Sequence, residues 1–144
     1  MFSKTCEYAI RATIFIASES YQNKRVGLKD IAKRIDSPEA FTAKILQILS
    51  KNNIIKSIKG VGGGFDIPKE SMNQITLTHI VTAIDGDSVF TGCGLGLSHC
   101  SEIHPCPVHD KFKAIRNELA SMLDNTNLEE LALGIKSGDT FLRY

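Results

Sequence analysis

The sequence predicts a mainly α-helical fold with a small β-hairpin wing, in which a winged helix-turn-helix domain precedes a long dimerisation helix. Three features carry this prediction: two short amphipathic segments around a tight turn, an alternating segment that runs into a glycine cluster, and a later segment with heptad-spaced apolar residues. We place the winged domain in residues 1–85, a cysteine loop in 86–107, and the dimerisation helix with a C-terminal tail in 108–144.

Apolar periodicity predicts the first two helices. Residues 5–20 are mostly apolar and indicate a largely buried first helix. A second, shorter helix is closed by Asp36. Its apolar residues recur at i, i+3, i+4 and i+7 and are Leu28, Ile31, Ala32 and Ile35.

A third helix is predicted to begin at Pro38, with Ser37 as its N-cap, because the missing N–H of proline costs nothing in the first turn. Its predicted inward residues are Phe41, Ile45, Ile48 and Leu49, and its predicted outward residues are Thr42, Lys44, Gln47 and Lys51. Two short helices, the second with a polar and basic outer face, are typical of a helix-turn-helix.

A β-hairpin wing is predicted after the third helix. Residues 54–59 alternate as a strand, residues 60–64 form a glycine-rich turn that needs positive φ, and residues 65–67 return before Pro68. A phosphate-binding loop is disfavoured because the Gly-Lys-Ser/Thr ending is missing and a strand follows. A glycine-rich hairpin tip with flanking lysines can instead press against DNA phosphates or a minor groove.

The C-terminal half predicts three further helices. The first is marked by Leu77, Ile80, Val81 and Ile84 and stops at Gly86. The second is long, and its apolar residues Val108, Phe112, Ile115, Leu119 and Met122 are spaced as in a coiled-coil seam. This spacing favours self-pairing in a homodimer over a helix that covers its own domain. A Thr126-x-x-Glu129 capping box predicts a last short helix through Leu133.

Charge is distributed unevenly along the chain. The net charge is only +1, yet residues 1–69 hold twelve Lys and Arg against six Asp and Glu, whereas residues 70–144 hold five against ten. The basic half suits a polyanion such as double-stranded DNA, although solvated surface charge alone would give the same count. No signal-peptide or membrane-spanning pattern is present, so we expect a cytoplasmic protein with reduced thiols.

Three of the four cysteines lie in one short polar stretch, at Cys93, Cys100 and Cys106. Histidines are interleaved with them, at positions 99, 104 and 109. Thiolates select zinc or iron–sulfur clusters, and the surrounding glycines and prolines suit a metal-binding loop. A structural zinc site with three Cys and one His, or cysteines without a ligand, are the alternatives. A metal-dependent redox enzyme is disfavoured because no paired carboxylates or nucleophile motif accompany the cysteines.

The order of these features resembles the Rrf-two family of bacterial winged-helix regulators. The resemblance runs from about Lys4 to about Leu133 and is carried by the Lys59-Gly60-Val61-Gly62-Gly63-Gly64-Phe65 wing and the three-cysteine loop. It implies a homodimer on a palindromic operator, most simply a repressor, whose DNA affinity depends on a [2Fe-2S] or [4Fe-4S] cluster. The spacing from Cys93 to Cys100 is one residue longer than is usual in that family, which leaves the cluster type open.

The resemblance also implies roles for individual residues. Cys93, Cys100 and Cys106 would bind the cluster, with His109 as the fourth ligand or, alternatively, Glu7 of the partner subunit. The expected DNA-contacting residues are Lys4, Ser37, Pro38, Glu39, Thr42, Lys44, Lys56, Lys59, Gly62 and Gly63. The expected dimer contacts are Phe112, Ile115, Leu119 and Met122.

Overall fold

The computed structural model describes residues 2–142. Within them the order of elements is α1 (Lys4–Tyr21), α2 (Leu28–Ile35), α3 (Glu39–Lys51), β1 (Lys56–Ile58), β2 (Gly64–Asp66), α4 (Lys69–Met72), α5 (Leu77–Asp85), α6 (Ser88–Thr91), α7 (His109–Asp124) and α8 (Leu128–Ser137). The helices dominate and the two strands form one hairpin, which confirms the predicted fold class. The short helices α4 and α6 were not predicted, because four residues are too few to establish a periodic pattern.

Helix α1 passes through the centre of the domain. The Ser3 hydroxyl accepts a hydrogen bond from the backbone N–H of Cys6 at 3.0 Å and so caps the helix. Ala9, Ala12 and Ile16 are fully buried, and helices α2, α3, α5 and α8 all pack against α1. The small alanines allow these neighbours to approach the backbone of α1 closely.

The helix-turn-helix consists of α2 and α3. Asp36 closes α2 in the left-handed conformation with φ 54°, as its predicted position implies. The predicted start of α3 is wrong by one residue: Pro38 is extended and is itself the N-cap, and Ser37 does not cap the helix. The Pro38 carbonyl accepts the N–H of Thr42 at 2.9 Å and thereby opens the first turn.

The buried face of α3 also differs from the prediction. Thr42 is fully buried, and its hydroxyl donates to the Pro38 carbonyl at 2.9 Å, which satisfies its only donor inside the helix. Ile48, in contrast, is 36% exposed. The buried stripe therefore runs at i, i+3, i+4 and i+7 through Thr42, Ile45, Leu46 and Leu49.

The wing is the antiparallel hairpin β1–β2, with Ser57 opposite Phe65. Phe65 also exchanges backbone hydrogen bonds with Val26, so the segment before α2 supports the returning strand. Gly60 and Gly62 have φ of 90° and 75°, as the predicted turn requires. Ile54 and Ile55 lie before the strand and are buried in the core, so β1 is shorter than predicted.

The C-terminal helices return to the same core. Helix α5 ends at Gly86, as predicted, with φ 72°. Asn127 and Glu130 form the capping box of α8, one residue later than predicted. Leu128 and Ala132 are buried in the cluster that contains α1, and α8 continues past the predicted end to Ser137. None of the described helices is long and apolar enough to cross a membrane.

Candidate functional site

The exposed face of α3 carries part of the predicted DNA surface. Lys44 and Gln47 are exposed, and Glu39 and Pro38 are exposed where the helix begins. Ser37 is half-buried in the turn between the two helices. Thr42 has no part in this surface, because its side chain is fully buried and its hydroxyl is bonded within the helix.

The wing presents a second polar surface. Lys56, Lys59 and Gly62 are exposed, Gly63 is half-buried, and Val61 stands fully exposed at the tip. A side chain of the segment before α2, which no sequence pattern had indicated, holds this hairpin.

That side chain is Arg25. Its Nε lies 2.9 Å from Oδ2 of Asp66, and its Nη1 donates to the Gly62 carbonyl at 3.4 Å. The pair spans 41 residues, so no local pattern announces it. Arg25 thereby holds the tip of the wing against its base.

Lys4 and Glu7 lie on the first turns of α1. Nζ of Lys4 is 3.4 Å from a Glu7 carboxylate oxygen, and the Lys4 side chain is 72% exposed. Most of the Lys4 side chain is therefore open to solvent despite this ion pair. Glu7 meets Lys4 within the chain, and its predicted role as a ligand requires a second subunit.

The cysteine loop arranges its predicted ligands in two pairs. Cys106 lies near enough to Cys93 to contribute to the lowered pKa of the Cys93 thiol, and the Cys100 sulfur lies 3.4 Å from Nδ1 of His109. His109 is 7% exposed at the start of α7, whereas each of the three cysteines is half-buried. Among residues 2–142, no three His, Cys, Asp or Glu side chains stand close enough together to hold a metal ion.

Backbone groups favour the thiolate of Cys93. Hydrogen bonds from the backbone N–H groups of Leu95 and then Leu97 lower the pKa of this thiol, with a smaller contribution from the Cys106 thiol. The N–H of Leu95 lies 3.4 Å from the Cys93 sulfur. This is the type of donor arrangement that stabilises sulfur ligands of a metal centre.

Arg116 is a polar partner of the loop that sequence reasoning missed. Its Nη1 lies 3.2 Å from the Cys100 sulfur and also donates to the Gly92 carbonyl. Arg116 follows His109 by seven residues and therefore lies on the same side of α7. Helical periodicity measured from His109, rather than from the apolar seam, could have identified it.

Two further contacts join the loop to α7. Lys113 forms an ion pair with Glu102, and its hydrogen bond and charge lower the pKa of that carboxyl. Gly94 lies directly over the ring of Phe112, where an added Cβ would overlap ring carbons. The loop thus rests on a residue that was predicted to lie in the dimer seam.

The predicted seam is divided between two environments. Phe112, Ile115 and Met122 are 39%, 63% and 47% exposed. Leu119 is partly buried and packs with Leu123 against the domain, so it is covered in part by its own chain. An exposed apolar strip therefore remains along α7.

Comparison with known proteins finds transcriptional regulators. The family profile described as "Rrf2: Iron-dependent Transcriptional regulator" matches residues 2–133. An HTH-type transcriptional regulator of Aquifex aeolicus is 31% identical over 133 residues, covering 91% of this chain and 90% of the relative. The HTH-type transcriptional regulator IscR of Yersinia pseudotuberculosis is 29% identical, covering 86% of this chain and 74% of the relative.

Solved structures share the fold at lower identity. CymR, the global cysteine regulator of B. subtilis, superposes with a TM-score of 0.73 at 23% identity and covers 92% of this chain and 95% of its own. T. potens IscR gives a TM-score of 0.73 at 18% identity and covers 97% and 91%. The family and the curated relatives are transcriptional regulators, which confirms the prediction that the chain is not an enzyme. The chain belongs to the Rrf-two family and is a DNA-binding transcriptional regulator.

Proposed function

We propose that this regulator is a homodimer that controls transcription, as a repressor, by binding a palindromic operator in the cytoplasm with an affinity set by an iron–sulfur cluster. One observation carries the proposal. The loop that holds Cys93, Cys100 and Cys106 contacts α7 through several side chains. That helix begins at His109 and exposes an apolar strip.

The DNA surface combines α3 with the wing. Lys44 on α3 and Lys56 and Lys59 on the wing are exposed and cationic, so they suit phosphates along the groove. The further DNA-contacting residues that we propose are Lys4, Ser37, Pro38, Glu39, Gly62 and Gly63. Glu39 lies in the first turn of α3, where its negative charge interacts favourably with the helix dipole and stabilises the helix. At this position it can also accept a hydrogen bond from a cytosine base.

The donor set of the loop fits an iron–sulfur cluster. It offers three thiols and one imidazole, and backbone N–H groups and Arg116 donate to sulfur atoms that would become ligands. The two pairs, Cys93 with Cys106 and Cys100 with His109, would have to converge to complete the site. A bound cluster supplies sensitivity to oxygen, redox state or nitric oxide, and incomplete thiolate ligation leaves one iron open to exchange.

Contacts between the cysteine loop and α7 connect the loop to the proposed dimer interface, and through it to the DNA-binding domains. Gly94 rests on Phe112, and Phe112 belongs to the exposed strip of α7 on which a second subunit would pack. A movement of the loop therefore shifts a residue of the proposed interface. Because half-site spacing is a geometric demand of a palindromic operator, a change of interface can alter operator affinity.

The deciding experiment is metal and sulfide analysis with an absorption spectrum on anaerobically purified protein. Visible charge-transfer bands with iron and acid-labile sulfide support the proposal. Operator affinity is then compared between the loaded protein and the protein freed of its cluster, and equal affinities would contradict control by the cluster. Colourless protein with stoichiometric zinc would instead establish the second candidate, a structural zinc site, which the same three thiols and one imidazole could form.

A further inference from the structure

Arg116 makes contacts that the proposed ligand set does not explain. One nitrogen, Nη1, donates both to the carbonyl of Gly92 and to the sulfur of Cys100. Gly92 directly precedes Cys93, and Cys100 follows seven residues later. The Arg116 guanidinium therefore contacts both ends of the segment that joins the first two cysteines, and it holds both ends of that segment against α7.

The surroundings of Arg116 indicate that this position is tightly defined. Its side chain is half-buried, and its Nε is buried and has no hydrogen-bond partner among residues 2–142. Leaving a donor of a charged group unsatisfied carries a free-energy cost, so the two bonds from Nη1 must offset it. The donor of the second bond belongs to a charged guanidinium, and hydrogen bonds of charged groups are about twice as strong as neutral ones.

We propose that Arg116 is a positioning residue of the cysteine loop. It holds the loop segments at Cys93 and Cys100 together before a cluster binds, and it donates an N–H to the Cys100 sulfur once a cluster has bound. The second part rests on the proposed iron–sulfur function, whereas the first concerns the protein without metal. Hydrogen bonds to ligand sulfur favour the more reduced, more negative state of a cluster. Arg116 would accordingly raise the reduction potential of the site.

The first test uses hydrogen exchange of the metal-free protein. In Arg116→Met, which keeps the apolar stem and loses both donors, backbone amides of residues 93–100 should exchange on the order of tenfold faster, the effect of losing hydrogen bonds made by a charged group. Arg116→Lys keeps the charge, but its nitrogen ends one bond nearer the backbone than Nη1 and is not held in a planar guanidinium, so it should restore only part of the protection. Lys111→Met, an exposed change on the same helix, serves as the matched control.

A double-mutant comparison assigns the effect to the sulfur. If Arg116 acts through Cys100, Arg116→Met should accelerate exchange less in a Cys100→Ala background than in the wild type, because interacting sites are not additive. Full additivity would overturn the sulfur contact, and unchanged exchange in Arg116→Met would overturn the positioning role. Thermal unfolding shows whether Arg116→Met is folded. If it is not, the exchange rates of Arg116→Lys alone decide whether Arg116 positions the loop.

The second test measures the reduction midpoint of anaerobically reconstituted protein. Arg116→Met should bind iron and sulfide and titrate at a more negative potential than the wild type, with Lys111→Met unchanged. An identical potential would overturn the donation to cluster sulfur. If the wild type itself takes up no iron and sulfide, the proposed iron–sulfur function fails and the donation to a cluster fails with it. The exchange experiment would still decide whether Arg116 holds the loop.

Discussion

Cysteine environments differ sharply from residue to residue in this chain. Burial, followed by the nearby Asp85 carboxylate, raises the pKa of Cys6 to about 12, while backbone N–H groups lower the pKa of Cys93. Because the thiolate is the nucleophile, Cys93 should react with iodoacetamide first at pH 7–8 and Cys6 should stay unmodified. Mass mapping of partially alkylated metal-free protein checks the order. Early modification of Cys6 in folded protein would contradict the burial of its thiol.

The fourth ligand is also a question about single residues. The His109 ring already meets the Cys100 sulfur within one subunit, whereas Glu7 pairs with Lys4 and could reach a cluster only across a dimer. His109→Ala should therefore alter the visible spectrum of reconstituted protein or make its cluster labile, and Glu7→Ala should do less. His79→Ala, on α5, is the control for loss of an imidazole. The opposite ranking of His109 and Glu7 would assign the fourth position to the carboxylate.

The sequence predicted helices and turns best where one face of a segment is apolar or where a turn requires glycine. The periodicity of residues 28–35 predicted α2, and glycine chemistry predicted the turn of the wing. Thr42 was misassigned because a threonine that bonds the carbonyl four residues earlier buries its polar atom, a result that polarity alone cannot show. Helical periodicity places Arg116 on the same side of α7 as His109, but its contact with Cys100 depends on the path of the loop, which tertiary contacts determine.

Lys59 is an exposed cation on the wing. Lys59 is exposed beside the hairpin tip, so Lys59→Ala should weaken binding to duplexes of any sequence and lower the slope of log affinity against log salt by about one. Fluorescence anisotropy at several salt concentrations measures both quantities. Lys111→Ala, on α7, removes the same charge away from the proposed surface. An unchanged slope for Lys59→Ala would exclude this lysine from phosphate contact.

Gly94 of the cysteine loop packs against Phe112 of α7. A methyl group at Gly94 would overlap the Phe112 ring, so Gly94→Ala should destabilise the fold by about 1–3 kcal/mol, the usual cost of overpacking. Urea unfolding measures this change in the free energy of unfolding. In a Phe112→Ala background the same glycine change should cost much less, since the overlap has gone. Equal costs in both backgrounds would refute the Gly94–Phe112 contact.

Helix α7 has an apolar surface that the described part of the chain, residues 2–142, leaves uncovered. Leu123 faces the domain and is fully buried, while Ile115 and Met122 remain largely open to water. A second copy of the chain would bury this strip and would bring two winged domains to one side of an operator. The strip is also where the cysteine loop meets α7, so assembly and sensing would share the same residues.

Ile115→Asp tests that assembly. In the proposed homodimer the change would bury two facing carboxylates in an apolar interface without a cationic partner, and such a cost should leave monomers at micromolar concentration. Asn117→Asp adds the same charge to another exposed position of α7 and should leave the dimer intact. Sedimentation equilibrium measures the mass of each variant, and binding to a palindromic duplex should fall only in the first. A dimeric Ile115→Asp protein would mean that the subunits pair elsewhere or that the strip serves another partner.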